Sequence, residues 1–92
     1  MIKDFRHKGL KRFFETDSTK GIQAAHAKKL RSQLSVLEAA SGPNDIAPLN
    51  WGLHPLQGKE AGQWSIQVNG NWRLTFAFEG EDVILLDYRD YH

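Results

Sequence analysis

Cysteine is absent from the 92 residues, methionine occurs once and proline three times. Without cysteine there is no disulfide, no thiolate zinc site and no cysteine nucleophile, a composition that fits a reducing compartment. No apolar run approaches the ~20 residues that a membrane span needs, and the opening MIKDFRHKG lacks the apolar stretch of a signal peptide. These absences lead to the expectation of a cytoplasmic protein with no membrane partner. The length admits a single domain, residues 1–92, and excludes a two-domain enzyme. A chain this short buries only roughly 60–65% of its unfolded surface, so no enclosed cofactor is expected and any chemistry belongs in an open groove or on a flat face.

The net charge of +1 conceals a division. Residues 1–34 carry nine Lys and Arg against three acids, a net +6, whereas residues 35–92 carry Lys59, Arg73 and Arg89 against eight acids, a net −5. Such asymmetry marks either a half that faces nucleic acid or two helices whose solvated faces are basic.

Periodicity places the elements. Ile2 and Phe5 in MIKDF allow a short strand. From Lys8 to Glu15, Leu10, Phe13 and Phe14 fall at i, i+3, i+4, the spacing of an amphipathic helix. A second helix is expected from Ala24 to Ala40, with Ala27, Leu30, Leu34 and Leu37 as its apolar stripe and Ser41-Gly42-Pro43 as its stop. After an irregular stretch to Gln57 the period becomes 2: Trp64, Ile66 and Val68 alternate with polar residues, Asn69-Gly70 turns the chain, and Trp72, Leu74, Phe76 and Phe78 alternate again. The unbroken run Val83 to Leu86 suits a strand buried on both faces. The expected class is α+β, two N-terminal helices packed on one face of a small antiparallel sheet. Trp64 and Trp72 are expected as core residues and a cross-strand pair beside the turn. Arg73 and Thr75 then point to the other, uncovered or partly covered face, where Arg73 is either an anion clamp or an ordinary solvated arginine.

The segment LHPLQGKEAGQWSIQVNGNWRLTF, with DYRDYH closing the chain, resembles the HigB toxins of bacterial toxin–antitoxin modules, within the wider RelE/ParE superfamily. The likeness covers the whole chain, and its order and spacing are more specific than any single motif. It implies the RelE-like microbial RNase fold and cleavage of messenger RNA in the ribosomal decoding site. The implied partners are the ribosome with its 16S rRNA, mRNA, and a cognate HigA-like helix-turn-helix antitoxin through which alone operator DNA is bound. Carried onto this sequence, the family's functional positions are His54, Arg73, Asp90, Tyr91 and His92. Relatives often carry lysine directly after HPL; Gln57 stands there here, and Lys59 is the candidate substitute.

Metal-free RNA cleavage needs a base for the 2′-hydroxyl, a cation for the charged transition state and an acid for the leaving 5′-oxygen. Histidine, with a reference pKa of about 6.5, takes either proton role, which makes His54 and His92 candidates. Arg73 can grip phosphate oxygens bidentately. Asp90 is a candidate base or an orienter of a histidine, and Tyr91 offers a stacking face and a hydroxyl. Alternation puts Asp90 and His92 on one strand face and Tyr91 on the other. His7, His26, His54 and His92 show no close ligand spacing, so no metal is expected. Lys8, Lys11, Arg12, Lys28, Lys29 and Arg31, with Lys59, are candidates for RNA and ribosome contacts, although the same helix surface could receive an acidic antitoxin segment. Rival readings are a ParE-like toxin that poisons DNA gyrase by binding, and a degenerate member kept as a corepressor.

Overall fold

The computed structural model describes residues 1–91. Helix α1 spans Lys8–Thr16. His7 caps it: its Nδ1 accepts from the Leu10 amide at 2.9 Å, satisfying a donor that the first turn leaves without a helical acceptor. At the other end Asp17 takes the left-handed conformation, φ 63°, and returns its N–H to the Phe13 carbonyl. Leu10 and Phe13 are buried, whereas Phe14, expected beside them, is 39% exposed and packs on the Phe5 ring at 5.5 Å. A nine-residue helix lying on a single layer buries a narrow stripe, and Phe14 falls on its margin.

The second helix begins later than expected. Ala24–His26 form a 3-10 turn and α2 runs over Ala27–Ala39, burying Leu30, Gln33, Leu34 and Leu37. The tighter turn carries His26 inward, where its Nδ1 lies 2.6 Å from the Tyr88 hydroxyl. That hydroxyl also accepts from the Gln23 amide at 3.4 Å. Burial raises the Tyr88 pKa, the Gln23 amide opposes it, and the Asp90 charge adds to it. The folded state therefore favours the neutral phenol, a contribution lost as pH climbs from the ordinary tyrosine range of about 10 through the raised value. Tyr88→Phe would leave a buried imidazole unpaired, at an expected cost of about 2 kcal/mol. Denaturant unfolding checks this, and an unchanged midpoint at unchanged slope would contradict it.

The sheet has four strands in the order β1-β2-β3-β4, with every neighbouring pair antiparallel. Three were expected: β2 (Trp64–Asn69), β3 (Trp72–Glu79) and β4 (Asp82–Asp90). The fourth, β1 (His54–Pro55), is too short to show a period in sequence. The β2–β3 turn is Gly70-Asn71, one residue later than the Asn69-Gly70 expected, with Gly70 at φ +56°. A register shift between Gln67 and Asn69 sets Trp72 opposite Asn69 and Trp64 opposite Phe76, so the two tryptophans are not cross-strand partners. Trp72 stacks on Tyr88 instead, with centroids 4.4 Å apart.

The run Val83 to Leu86 has a different cause from burial on both faces. Thr75 pairs with Asp87 and Ala77 with Ile84, so β4 carries one extra residue, and Leu85 sits in the left-handed region at φ 57°. The bulge resets the alternation: Val83 and Leu86 both enter the core, while Ile84 and Leu85 are half-buried. Along β4's outer edge the opening residues pair in parallel, Ile2 with Val83 and Phe5 with Leu86, in place of the short strand expected. The Asp4 carboxylate accepts the Leu85 amide at 3.1 Å, and Glu38 of α2 accepts the Ile2 amide at 2.7 Å.

One core results. Leu10, Phe13, Leu30, Leu34 and Leu37 pack with Ile66, Leu74, Phe76, Val83, Leu86 and Tyr88, so both helices lie on the same sheet face. Gly9 of α1 and Gly21 of the following loop meet backbone to backbone: a Cβ on Gly9 would sit 2.4 Å from the Gly21 carbonyl oxygen. No helix among the described residues is long and apolar enough to cross a membrane.

Candidate functional site

Strand register alone defines the face opposite the helices. Directly opposed residues share a face, so His54, Ser65, Thr75 and Asp87 form one row across all four strands, and Gln67, Arg73 and Arg89 form the next. Arg73 thus points away from the helices, as alternation predicts. Thr75 does too, yet it is 1% exposed and Ser65 0%, so this face is covered where the sequence reading left it partly open. The segment between β1 and β2 reaches across the sheet, its Gly58–Glu60 turn bringing Glu60 within 2.7 Å of Arg89 although β2 and β3 intervene. The buried hydroxyls of Ser65 and Thr75 have no hydrogen-bond partner among the described residues.

His54 is exposed on the edge strand, its Nδ1 3.0 Å from the Gly52 carbonyl. A carbonyl only accepts, so this bond requires the proton on Nδ1 and leaves Nε2 as the basic nitrogen. Gly52 adopts φ +65°, a conformation that glycine takes without strain and that aims its carbonyl back at the ring. Arg73, half-buried and two strands from His54 or about 10 Å across the sheet, gives its Nη1 to the carbonyls of Gly70 at 2.7 Å and Trp72 at 3.0 Å. Among the described residues its Nε and Nη2 have no protein acceptor and can meet an anion. Arg89 lies opposite Arg73, its Nη1 on Glu60 and its Nη2 2.5 Å from the Tyr91 hydroxyl. Burial works against its charge, but the Glu60 hydrogen bond and the neighbouring Tyr91, Glu60 and Asp87 outweigh it and raise its pKa above the usual value. On this face the Arg73 guanidinium can bind a phosphodiester, and the His54 imidazole can take the proton of a neighbouring ribose 2′-hydroxyl.

The expected site residues are therefore divided. His54, Arg73 and Tyr91 share this face, and Lys59 is exposed on the Gly58–Glu60 turn. Asp90 pairs with Trp72 and acts on Tyr88, which puts it on the helix side of the sheet. His92 lies outside the described residues. Lys8, Lys11, Arg12, Lys28, Lys29 and Arg31 are exposed on the helices, across the sheet from Arg73, and Arg31 is paired with Asp17 at 3.1 Å over the Phe13 ring. The sequence reading missed Arg89. Its signal was present in DYRDYH, where Arg89 stands two residues before Tyr91 and so shares its strand face. No group of three or more metal-ligating side chains occurs among the described residues.

Two helices over an antiparallel sheet, with Arg73 and Arg89 on the sheet's far face, form an arrangement shared with a solved toxin. A solved YoeB/ParE toxin from Agrobacterium tumefaciens superposes with a TM-score of 0.62, each chain covered over 100% of its length, at 16% identity. A family model described as the RelE-like toxin of type II toxin-antitoxin system HigB matches residues 3–92, and the chain belongs to that family of HigB-like toxins. It is 41% identical over 92 residues to the Endoribonuclease HigB of Proteus vulgaris, with both chains covered completely. Membership in a type II toxin–antitoxin family brings an antitoxin as partner.

Proposed function

We propose that this toxin is an endoribonuclease that cuts messenger RNA in the ribosomal decoding site and so stops translation. The observation that carries the reading is the His54 tautomer: with Nδ1 held by the Gly52 carbonyl, Nε2 is free to take the 2′-hydroxyl proton on a face shared with Arg73. The 2′-oxygen attacks the adjacent phosphorus, the bond to the 5′-oxygen breaks, and a 2′,3′-cyclic phosphate and a 5′-hydroxyl result. Arg73 binds the phosphoryl oxygens as their charge grows, through the donors that it does not spend on the turn carbonyls. The proton for the 5′-oxygen is assigned to His92, with Asp90 beside it in sequence to raise its basicity. Tyr91 stacks on a base next to the cut. The 41% identity to an endoribonuclease supports the same reading.

A shallow site suits an enzyme that borrows the ribosome to hold its substrate in line. The exposed cations of α1 and α2 are read as the surface that docks on 16S rRNA, with Lys59 at the site itself. The antitoxin partner is read as a HigA-like helix-turn-helix protein through which alone operator DNA is reached, and the setting as the cytoplasm. Lys28→Glu together with Lys29→Glu is expected to weaken ribosome binding and to flatten its log–log salt dependence by about two. Sedimentation with ribosomes across a salt series measures both, and a binding curve identical to wild type would remove the helices from the docking surface.

The test of function incubates the protein with programmed ribosomes and maps message ends by primer extension. Discrete cuts that vanish in His54→Ala are expected. Uncut message together with stalled DNA gyrase would replace this reading with that of a binding toxin of the ParE kind.

A further inference from the structure

Arg89 faces Arg73, and like charges directly opposed in a sheet repel, so the arginine at this position calls for a compensating use. A second phosphate clamp would serve, but the geometry of the side chain argues against it. Its Nη1 is engaged by Glu60 at 2.7 Å and its Nη2 by the Tyr91 hydroxyl at 2.5 Å. Its Nε is buried and has no acceptor among the described residues, so it is out of reach of a phosphate arriving from solvent. The guanidinium carbon lies 5.0 Å from the centroid of the Tyr91 ring. Arg89 is thus turned toward a side chain that needs holding. Tyr91 follows the last residue of β4, is 37% exposed, and among the described residues its backbone is held by the bond from its amide to the Asn71 carbonyl at 2.9 Å. A residue in that position frays unless something ties it down.

We propose that Arg89 is a positioning residue that holds the Tyr91 ring in place to stack on a nucleobase, and that Glu60 orients Arg89 for that task. The ion pair ties the β1–β2 segment to the end of β4, and the hydrogen bond passes that constraint on to the Tyr91 ring. Glu60, Arg89 and Tyr91 therefore act as one relay, distinct from the proton transfer at His54 and the phosphate contact at Arg73. The inference rests on the RNA-cleaving reading for the purpose of the ring, though not for the coupling itself.

The chain contains two tyrosines, Tyr88 and Tyr91, so tyrosine labelled at the ring Cζ alone gives two NMR signals, one of which reports the core and serves as a control for folding. In Arg89→Met the Tyr91 signal is expected to move to its position in an unfolded peptide while the Tyr88 signal stays. Cleavage on programmed ribosomes is expected to fall about tenfold, within the range that base–aromatic stacking supplies. In a Tyr91→Ala background the same Arg89→Met change is expected to cost nothing further, because Arg89 acts through the ring. The charge swap Glu60→Arg with Arg89→Glu keeps both the ion pair and an acceptor for the Tyr91 hydroxyl, and is expected to restore the signal and most of the rate.

A further tenfold loss from Arg89→Met in the Tyr91→Ala background would make Arg89 a direct phosphate ligand and overturn the proposal. So would an unmoved Tyr91 signal in Arg89→Met, or a charge swap that orders Tyr91 yet stays as slow as Arg89→Met. Message left uncut by the wild-type protein would overturn the cleavage reading instead, and the Tyr91 signal would still decide the coupling.

Discussion

Replacing His54 by alanine is expected to slow message cleavage about a thousandfold, the middle of the range that a positioned general base contributes, with little change in stability. The fold is indifferent to this side chain: it is exposed, sits on a two-residue edge strand, and its bond to the Gly52 carbonyl lies in water's reach. Exposed substitutions of this kind usually fall within about 0.5 kcal/mol of wild type. The chemistry is not indifferent, because no other described residue on this face combines a neutral basic nitrogen with a fixed tautomer. His54→Gln separates hydrogen bonding from proton transfer, since its amide can still donate to Gly52 but cannot accept and release a proton at neutral pH. Single-turnover cleavage on programmed ribosomes, compared with thermal melts of the same proteins, checks both halves. Activity in His54→Ala within tenfold of wild type would move the base elsewhere, with Asp90 and His92 next in turn.

The largest effect on stability is expected from Gly9→Ala. Judged by helix propensity the change looks favourable by about 1 kcal/mol, since alanine is the best helix former and glycine among the worst. The packing reverses the sign. The added methyl would lie 2.4 Å from the Gly21 carbonyl oxygen and 2.7 Å from its Cα, and because these are backbone atoms no rotamer can clear them. The loop before α2 must move away from α1, which disturbs the seating of His26 and Tyr88 below it. A net loss of about 3 kcal/mol is expected, at the upper end for overpacking, and in a chain of this size it lowers the melting temperature by about 15 °C. Gly21→Ala meets the same crossing from the other side, 2.4 Å from the Gly9 Cα. The double variant should cost less than the sum of the two, because one separation of the backbones relieves both clashes. A melting temperature equal to or above that of wild type in Gly9→Ala would refute the account.

These two cases differ in how far the sequence alone could reach. The β2–β3 hairpin was legible because Ile66, Leu74 and Phe76 obey the period of a strand with one buried face, and the same alternation correctly turned Arg73 away from the helices. Where order comes from distant residues, the sequence is silent. Strand β1 has two residues and exists because Ser65 and Trp64 pair with it. Gly9 and Gly21 read as a helix interior and a turn, and nothing local reports their contact. Val83 to Leu86 misled for a different reason: a bulge with Leu85 in the left-handed region produces the same unbroken apolar string as a strand buried on both sides. The burial of Thr75 was invisible because alternation assigns a side chain to a face and does not report what lies over that face.

The candidate site was legible by type more than by arrangement. His54, Arg73 and Tyr91 share a face, as alternation along their strands allows, while Asp90 lies on the helix side, where alternation from Tyr91 puts it. Arg89 required only the same step of two residues along β4. Glu60 could not have been found this way, since its pairing with Arg89 crosses two strands that the chain has yet to form when Glu60 is reached.

Residues 2–6 running beside β4 have a consequence for how other proteins can grip this one. Lys3 and Arg6 donate to the carbonyls of Val83 and Leu86, and the amides of Val83 and Leu86 donate to Met1 and Asp4, so hydrogen-bonding groups on that flank of the sheet are already occupied. At the opposite flank the regular pairing of β1 is two residues long. A strand that lengthened the sheet at the Val83 to Leu86 stretch of β4 would first have to displace residues 1–6.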